Sequence, residues 1–187
     1  MVEHRVELLD PLFQALTYIG SFGLVWLLLA LVVAKVPWRR PWLPARVAAT
    51  VLVAEAVQGS LKLLVGRDRP PLVDPDPEPL VALPHTNSFP SGHALVAFAC
   101  ATVIAAAVPR FRWPLYALAA AIAASRVYVG VHYPLDVLAG ALLGVLLGVA
   151  IEVVRRRLRA WARSGGTTAL PRPRAARPRS PQERRRG

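Results

Sequence analysis

Long apolar runs constrain this chain more than any other feature. A helix needs roughly 20 apolar residues to cross a bilayer. Five segments approach that length: Leu16–Val36, Ala45–Val65, Ser91–Val108, Trp113–Val129 and Leu135–Val154, the third and fourth at the short end. With 55% hydrophobic residues in 187, the chain reads as one domain of the membrane class. The expected fold is all-α, an integral membrane bundle of about five transmembrane helices. A short N-terminal interfacial helix over residues 1–15, carrying Glu3, His4, Arg5, Glu7 and Asp10 among apolar residues, precedes it. A cleaved signal peptide fits less well, because the start is acidic and the following run is long enough to span.

The net charge of +12 is not spread over the molecule. Residues 155–187 hold twelve Arg against one acid, Glu183, and so carry +11, leaving +1 for residues 1–154. This excludes a nucleic-acid groove and marks a basic tail. Beyond Arg163 the tail alternates Arg with Pro171, Pro173, Pro178 and Pro181, a composition that favours disorder. Anionic headgroups are its expected partners, at about 1 kcal/mol per cation near the surface. The division is therefore 1–15 interfacial, 16–154 transmembrane domain and 155–187 cytoplasmic tail. Cys100, the single cysteine, excludes an intramolecular disulfide and reads as a buried thiol.

Loop charges set the orientation. Lys35, Arg39, Arg40 and Arg46 flank the first connection, Arg110 and Arg112 the third, and the tail is more basic still. The positive-inside rule places all three in the cytoplasm and the acidic second connection, with Asp74, Asp76 and Glu78, outside. Pro75 and Pro77 alternate with those acids, so this loop reads as a stiff, hydrated cover over a site and not as a cation site. Trp38, Trp42 and Trp113 then fall at the inner boundary, and Tyr18, Tyr128 and Tyr133 near the outer one. The expected location is the plasma (inner) membrane of a bacterium.

Under this topology three fragments meet at the outer end: Lys62-x6-Arg69-Pro70, Pro90-Ser91-Gly92-His93 and Ser125-Arg126-x5-His132-x3-Asp136. Ionisable residues beside apolar segments are expensive and need a function. Lys62, Arg69 and Arg126 suit a phosphoryl group, whose transfer depends on positioning and charge stabilisation. Ser91 and Gly92 open a helix, where backbone N–H groups face an anion and Gly permits close approach. In a mechanism consistent with the set, His132 attacks phosphorus to form a phosphohistidine. His93 then protonates the leaving oxygen and activates water. Asp136, one turn from His132 with Pro134 between them in a helix's first turn, would fix the imidazole tautomer. No metal or other cofactor is required. Glu55 and Gln58 share a helix face with Lys62 and are expected to position it from behind, packing being the alternative. Arg67 reads as a lipid-headgroup anchor, and His4 and His85 as surface polar residues.

These fragments resemble the signature of the type 2 phosphatidic acid phosphatase superfamily, which includes lipid phosphatases, bacterial acid phosphatases and vanadium haloperoxidases. Lys62, Arg69 and Pro70 match its first motif; Pro90 to His93 the second; Ser125, Arg126, His132 and Asp136 the third. The resemblance implies a helical bundle and metal-independent hydrolysis. It implies His132 as nucleophile, His93 at the leaving group, and phosphate bound by Lys62, Arg69, Ser91, Gly92 and Arg126. Membrane members often have six spans, against five here. In length, span number and outward site the chain is similar to small bacterial undecaprenyl-diphosphatases of this family.

The expected activity is hydrolysis of a lipid phosphate or diphosphate, with undecaprenyl diphosphate the first substrate and phosphatidic acid or phosphatidylglycerophosphate its rivals. The motifs read the phosphate and not the lipid. A vanadate haloperoxidase would use the same anion site, but that type is soluble and larger. A non-hydrolytic lipid-phosphate binding or transport protein needs the cations but has no use for two histidines.

Overall fold

The computed structural model describes residues 6–35, 40–76 and 78–164. Residues Glu3–Arg5, Trp38, Arg39 and the tail beyond Ser164 lie outside the described residues. The chain divides into two units, residues 1–154 and 155–187. Of the second, the described part is the end of the last helix.

The described residues form helices and no strand. They are α1 (Asp10–Ile19), α2 (Leu24–Lys35), α3 (Leu43–Val65), the single turn α4 (Pro70–Val73), α5 (Gly92–Ala107), α6 (Arg112–Tyr128) and α7 (Pro134–Arg163). Four of the five expected spans thus appear as continuous helices. The segment Leu16–Val36 does not: α1 and α2 meet at 55° across a break at Ser21–Gly23. Gly20 requires this close approach, since a Cβ there would lie 2.5 Å from Ile122 Cγ2. At the break Phe22 adopts φ +53 and Gly23 φ +69. Among the described residues two helical stretches, Leu43–Val73 (α3 through α4) and Pro134–Arg163, are long and apolar enough to cross a membrane, or three if the bent pair is one span. At 16 and 17 residues, α5 and α6 are short for that test. The helix α7 runs past Val154, because its arginines favour helix while ending the hydropathic run.

The centre of the bundle is α5. Its residues Ala94, Leu95, Ala97, Ala99, Cys100, Ala101 and Ile104 are buried. A helix apolar on all sides belongs in the interior, and α3 and α6 pack against it. In lipid, where apolar burial gives little drive between helices, association depends on close packing of small residues. On α7, Gly140, Gly144 and Gly148 recur every four residues, and a Cβ on them would meet Ser91 O at 2.5 Å, Leu95 O at 2.4 Å and Thr102 Cβ at 2.6 Å. Away from that seam α7 exposes Leu135, Leu138, Leu142, Leu146, Val149 and Val153, an apolar face suited to lipid. The buried Glu152 carboxylate accepts a bond of 2.8 Å from Arg46, tying α7 to α3.

This packing makes a paired prediction. Gly144→Ala puts a methyl group into a backbone carbonyl and should cost about 1–3 kcal/mol as overpacking does. Gly59→Ala on α3 meets nothing within 4 Å and should be neutral or stabilising by up to about 1 kcal/mol from helix propensity. Thermal unfolding of the two variants in detergent checks both signs.

Candidate active site

The site is assembled where α3 stops. Gly66 caps that helix in the left-handed region at φ +64, its N–H donating to Lys62 O at 3.0 Å. Asn87 Nδ2 donates to the same carbonyl at 2.8 Å. The turn leaves Lys62 in the last turn of α3 and carries Arg67 and Arg69 toward the loop before α5. That loop reaches the helix through a cis Phe89–Pro90 bond, with Ser91 as N-cap and Gly92 as first helical residue. The third part of the site is the α6–α7 connection. Gly130, at φ +82, turns the chain so that Val131 N–H returns to Arg126 O at 3.2 Å. Immediately afterwards His132 precedes Pro134, the first residue of α7.

Eight of the expected residues, Lys62, Arg69, Gly92, His93, Arg126 and His132 with Glu55 and Gln58, line one cavity of about 320 Å³. Asp136 and Ser91 are buried beside it, joined by a 3.0 Å bond from Ser91 N to Asp136 O. Arg69 is held from several sides. It donates to Thr86 O at 2.7 Å, Val131 O at 2.9 Å and Thr86 Oγ1 at 3.2 Å. Lys62 Nζ donates to Thr86 Oγ1 at 2.9 Å. Arg126 Nε and Ser91 Oγ are buried and have no hydrogen-bond partner among the described residues. Buried polar groups in that condition are costly, and Arg126, which lines the cavity, would gain from an anion.

Arg69 also defines the chemistry of His132. Its NH1 lies 3.2 Å from His132 Nε2. A guanidinium only donates, so Nε2 is the acceptor and Nδ1 carries the hydrogen. The unprotonated nitrogen therefore sits beside the cation that would bind phosphate. Burial above all, with the charges of Arg69, Arg126 and Lys62, pushes the imidazole down to about 4 against the upward pull of Asp136. His93 has Ser21 Oγ 3.3 Å from its Nε2, and Ser21 in turn donates to Thr17 O at 3.1 Å. The break between α1 and α2 thus supplies the neighbour of the second histidine.

One expectation is corrected, and two others gain detail. Arg67 is not a headgroup anchor: its NH1 donates to Asp136 Oδ1 at 2.9 Å and its guanidinium lies 4.1 Å from the Tyr133 ring centroid. Asp136 does not bond His132 directly, the separation being 3.7 Å, beyond ordinary hydrogen-bond length. Glu55 is exposed on the cavity wall, where it accepts from Gln58 at 2.7 Å. Lys62 has its hydrogen bond to Thr86, and Glu55 and Gln58 share the cavity wall with it. The sequence reading missed Thr86, Asn87, Ser88 and Ser21. The first three form a polar tripeptide just before Phe89-Pro90-Ser91, and that position was the available signal.

Comparison with known proteins agrees with this geometry. Decaprenylphosphoryl-5-phosphoribose phosphatase of Mycobacterium tuberculosis is 37% identical over 148 residues, 75% of this chain and 77% of its own length. Undecaprenyl-diphosphatase of Sulfolobus acidocaldarius is 48% identical over 62 residues, 33% of this chain and 30% of its own. The crystal structure of a transmembrane PAP2-type phosphatidylglycerolphosphate phosphatase from Bacillus subtilis superposes with a TM-score of 0.68 at 27% identity, covering 84% of this chain and 81% of that one. The helical bundle, the cation-lined cavity with its two histidines, and a match over residues 43–160 together show that this membrane phosphatase chain belongs to the PAP2 superfamily.

Proposed function

We propose that the protein hydrolyses a polyprenyl-linked phosphate, without metal, through a phosphohistidine on His132. The observation that carries this is the 3.2 Å contact of the Arg69 guanidinium with His132 Nε2, which leaves that nitrogen as the acceptor, in the cavity that His93 also lines. In the first step Nε2 bonds to phosphorus and the bond to the leaving oxygen breaks. The electron pair goes to that oxygen, which takes a proton from His93. Lys62, Arg69, Arg126 and the α5 N-terminus at Gly92 stabilise the charge on the phosphoryl oxygens. In the second step His93 takes a proton from water. The resulting oxygen attacks phosphorus, the P–N bond breaks, and phosphate leaves with His132 neutral again.

Relatives named for decaprenyl and undecaprenyl compounds support the polyprenyl chain. Tyr18 and Phe22, exposed at the cavity wall, suit apolar contact with it. Undecaprenyl diphosphate, expected from the sequence, places a second phosphate beyond the first. A phosphomonoester on a polyprenyl-linked sugar places hydroxyls there, and Glu55 favours this second reading. Its carboxylate accepts from hydroxyl donors and repels a further phosphate. The five-span topology, with the site on the extracytoplasmic face and the C-terminus in the cytoplasm, belongs to the same proposal.

Detergent-purified protein should release phosphate from polyprenyl substrates with chelator present, and His132→Ala should abolish release. Turnover should favour the sugar phosphomonoester over undecaprenyl diphosphate, phosphatidic acid and phosphatidylglycerophosphate. Glu55→Gln should shift the ratio toward the diphosphate. Metal-dependent release, or full turnover by His132→Ala, would contradict the mechanism.

The nucleophile must be neutral, which gives a pH prediction. The fold holds His132 at about 4, whereas an unfolded imidazole takes its proton near about 6.5. Between those values the unfolded chain binds the extra proton, so stability falls as pH falls through the window. Thermal midpoints from neutral pH to about 4.5 should drop more in wild type than in His132→Gln, where this linkage is gone.

A further inference from the structure

We propose that Ser88 and Arg67 are the positioning residues of the nucleophile, and that Ser88, not Asp136 alone, transmits the carboxylate's hold to His132. The inference rests on the nucleophilic role proposed for His132.

Three separate segments close a ring. Ser88 N donates to Arg67 O at 2.8 Å. Ser88 Oγ donates to Asp136 Oδ2 at 2.5 Å. Arg67 NH1 donates to Asp136 Oδ1 at 2.9 Å. Tyr133 N adds a third donor to the carboxylate, at 3.1 Å from Oδ2. Asp136 is fully buried at 0% exposure and Ser88 likewise, while the Arg67 side chain is 37% exposed. An ionised carboxylate accepts and cannot donate. The single Ser88 hydroxyl hydrogen is therefore committed to Asp136. Toward His132 Nδ1, 3.3 Å away, Ser88 Oγ can then only accept.

That polarity has one consequence for the imidazole: Nδ1 must carry the hydrogen and Nε2 must keep its lone pair. It is the tautomer that Arg69 requires from the opposite side of the ring. The direct separation of His132 Nδ1 from Asp136, 3.7 Å, is longer than the path through the hydroxyl. When Nε2 bonds to phosphorus the ring becomes cationic, and its Nδ1–H stays on nitrogen. The hydroxyl dipole and the carboxylate behind it stabilise that charge. Arg67, bonded to Oδ1, holds the carboxylate with Oδ2 turned toward Ser88. None of this brings Ser88 or Arg67 into contact with the substrate, so both should act on kcat and leave KM nearly unchanged.

The test measures kcat and KM of the full-length protein in detergent with a polyprenyl phosphate substrate, for Ser88→Ala, Ser88→Thr, Arg67→Gln, Asp136→Asn and Ser88→Ala combined with Asp136→Asn. The expected result is a kcat lowered roughly 10- to 100-fold in Ser88→Ala and Arg67→Gln, with KM within about two-fold. Ser88→Thr, which keeps the hydroxyl, should recover most of the loss. The double variant should be no slower than Asp136→Asn alone, because both changes cut one path. Arg67 is partly exposed, so its variant answers the question even if the buried Ser88 variants fail to fold. Wild-type kcat in Arg67→Gln, a raised KM in place of a lowered kcat, or multiplicative losses in the double variant would overturn the inference. If His132→Ala itself retains turnover, the failure lies in the nucleophile reading and not in the positioning of His132.

Discussion

Three cations are sunk into one end of an apolar bundle, and the rest of the molecule is arranged around that cost. Lys62, Arg69 and Arg126 are all buried at this end, with one buried carboxylate, Asp136, beside them. Taking ions out of water costs several kcal/mol each after relaxation, and unpaired ones would be expelled or neutralised. The chain meets this with loop oxygens. Thr86 O, Thr86 Oγ1 and Val131 O surround Arg69, and Thr86 Oγ1 also receives Lys62. These acceptors orient the cations without cancelling their charge. A site that remains electropositive is suited to a transferring phosphoryl group, whose charge is spread over several oxygens.

The fold exists to hold three chain segments in register at that end. Close packing along Gly140, Gly144 and Gly148 sets the position of α7 against α5, and so the position of Asp136 relative to Ser91. A left-handed glycine ends α3 and turns Arg67 and Arg69 back over the site, while a second one turns the α6–α7 connection to present His132. The break between α1 and α2 has a similar purpose. It interrupts an apolar run that could have continued as helix and places Ser21 against His93.

The apolar runs made the helices legible, because a helix that must live in hydrocarbon announces itself by length and composition. The boundaries of α3, α5 and α6 follow from them within a residue or two. The break at Ser21–Gly23 was not legible: its causes are the contact of Gly20 with Ile122 and the positive φ of Phe22, and neither leaves a mark in hydropathy. The residues brought to the cavity were legible because each cation or histidine beside an apolar segment demanded a reason. What lay around them was hidden. Arg67, read alone, sits at a helix end like any headgroup anchor, and only the fold puts Asp136 within 2.9 Å of it. Thr86 and Ser88 are small hydroxyl residues in a loop. Their importance comes from which oxygens and nitrogens surround them.

Direct detection of the covalent intermediate tests the account most closely. A brief reaction of the wild-type protein with phosphorus-labelled substrate is stopped in alkali before the water step is complete, and the labelled peptide is located by mass spectrometry. The account predicts one phosphate on His132, stable in alkali and lost in acid. Turnover with no protein-bound phosphate, or label on another residue, would contradict it.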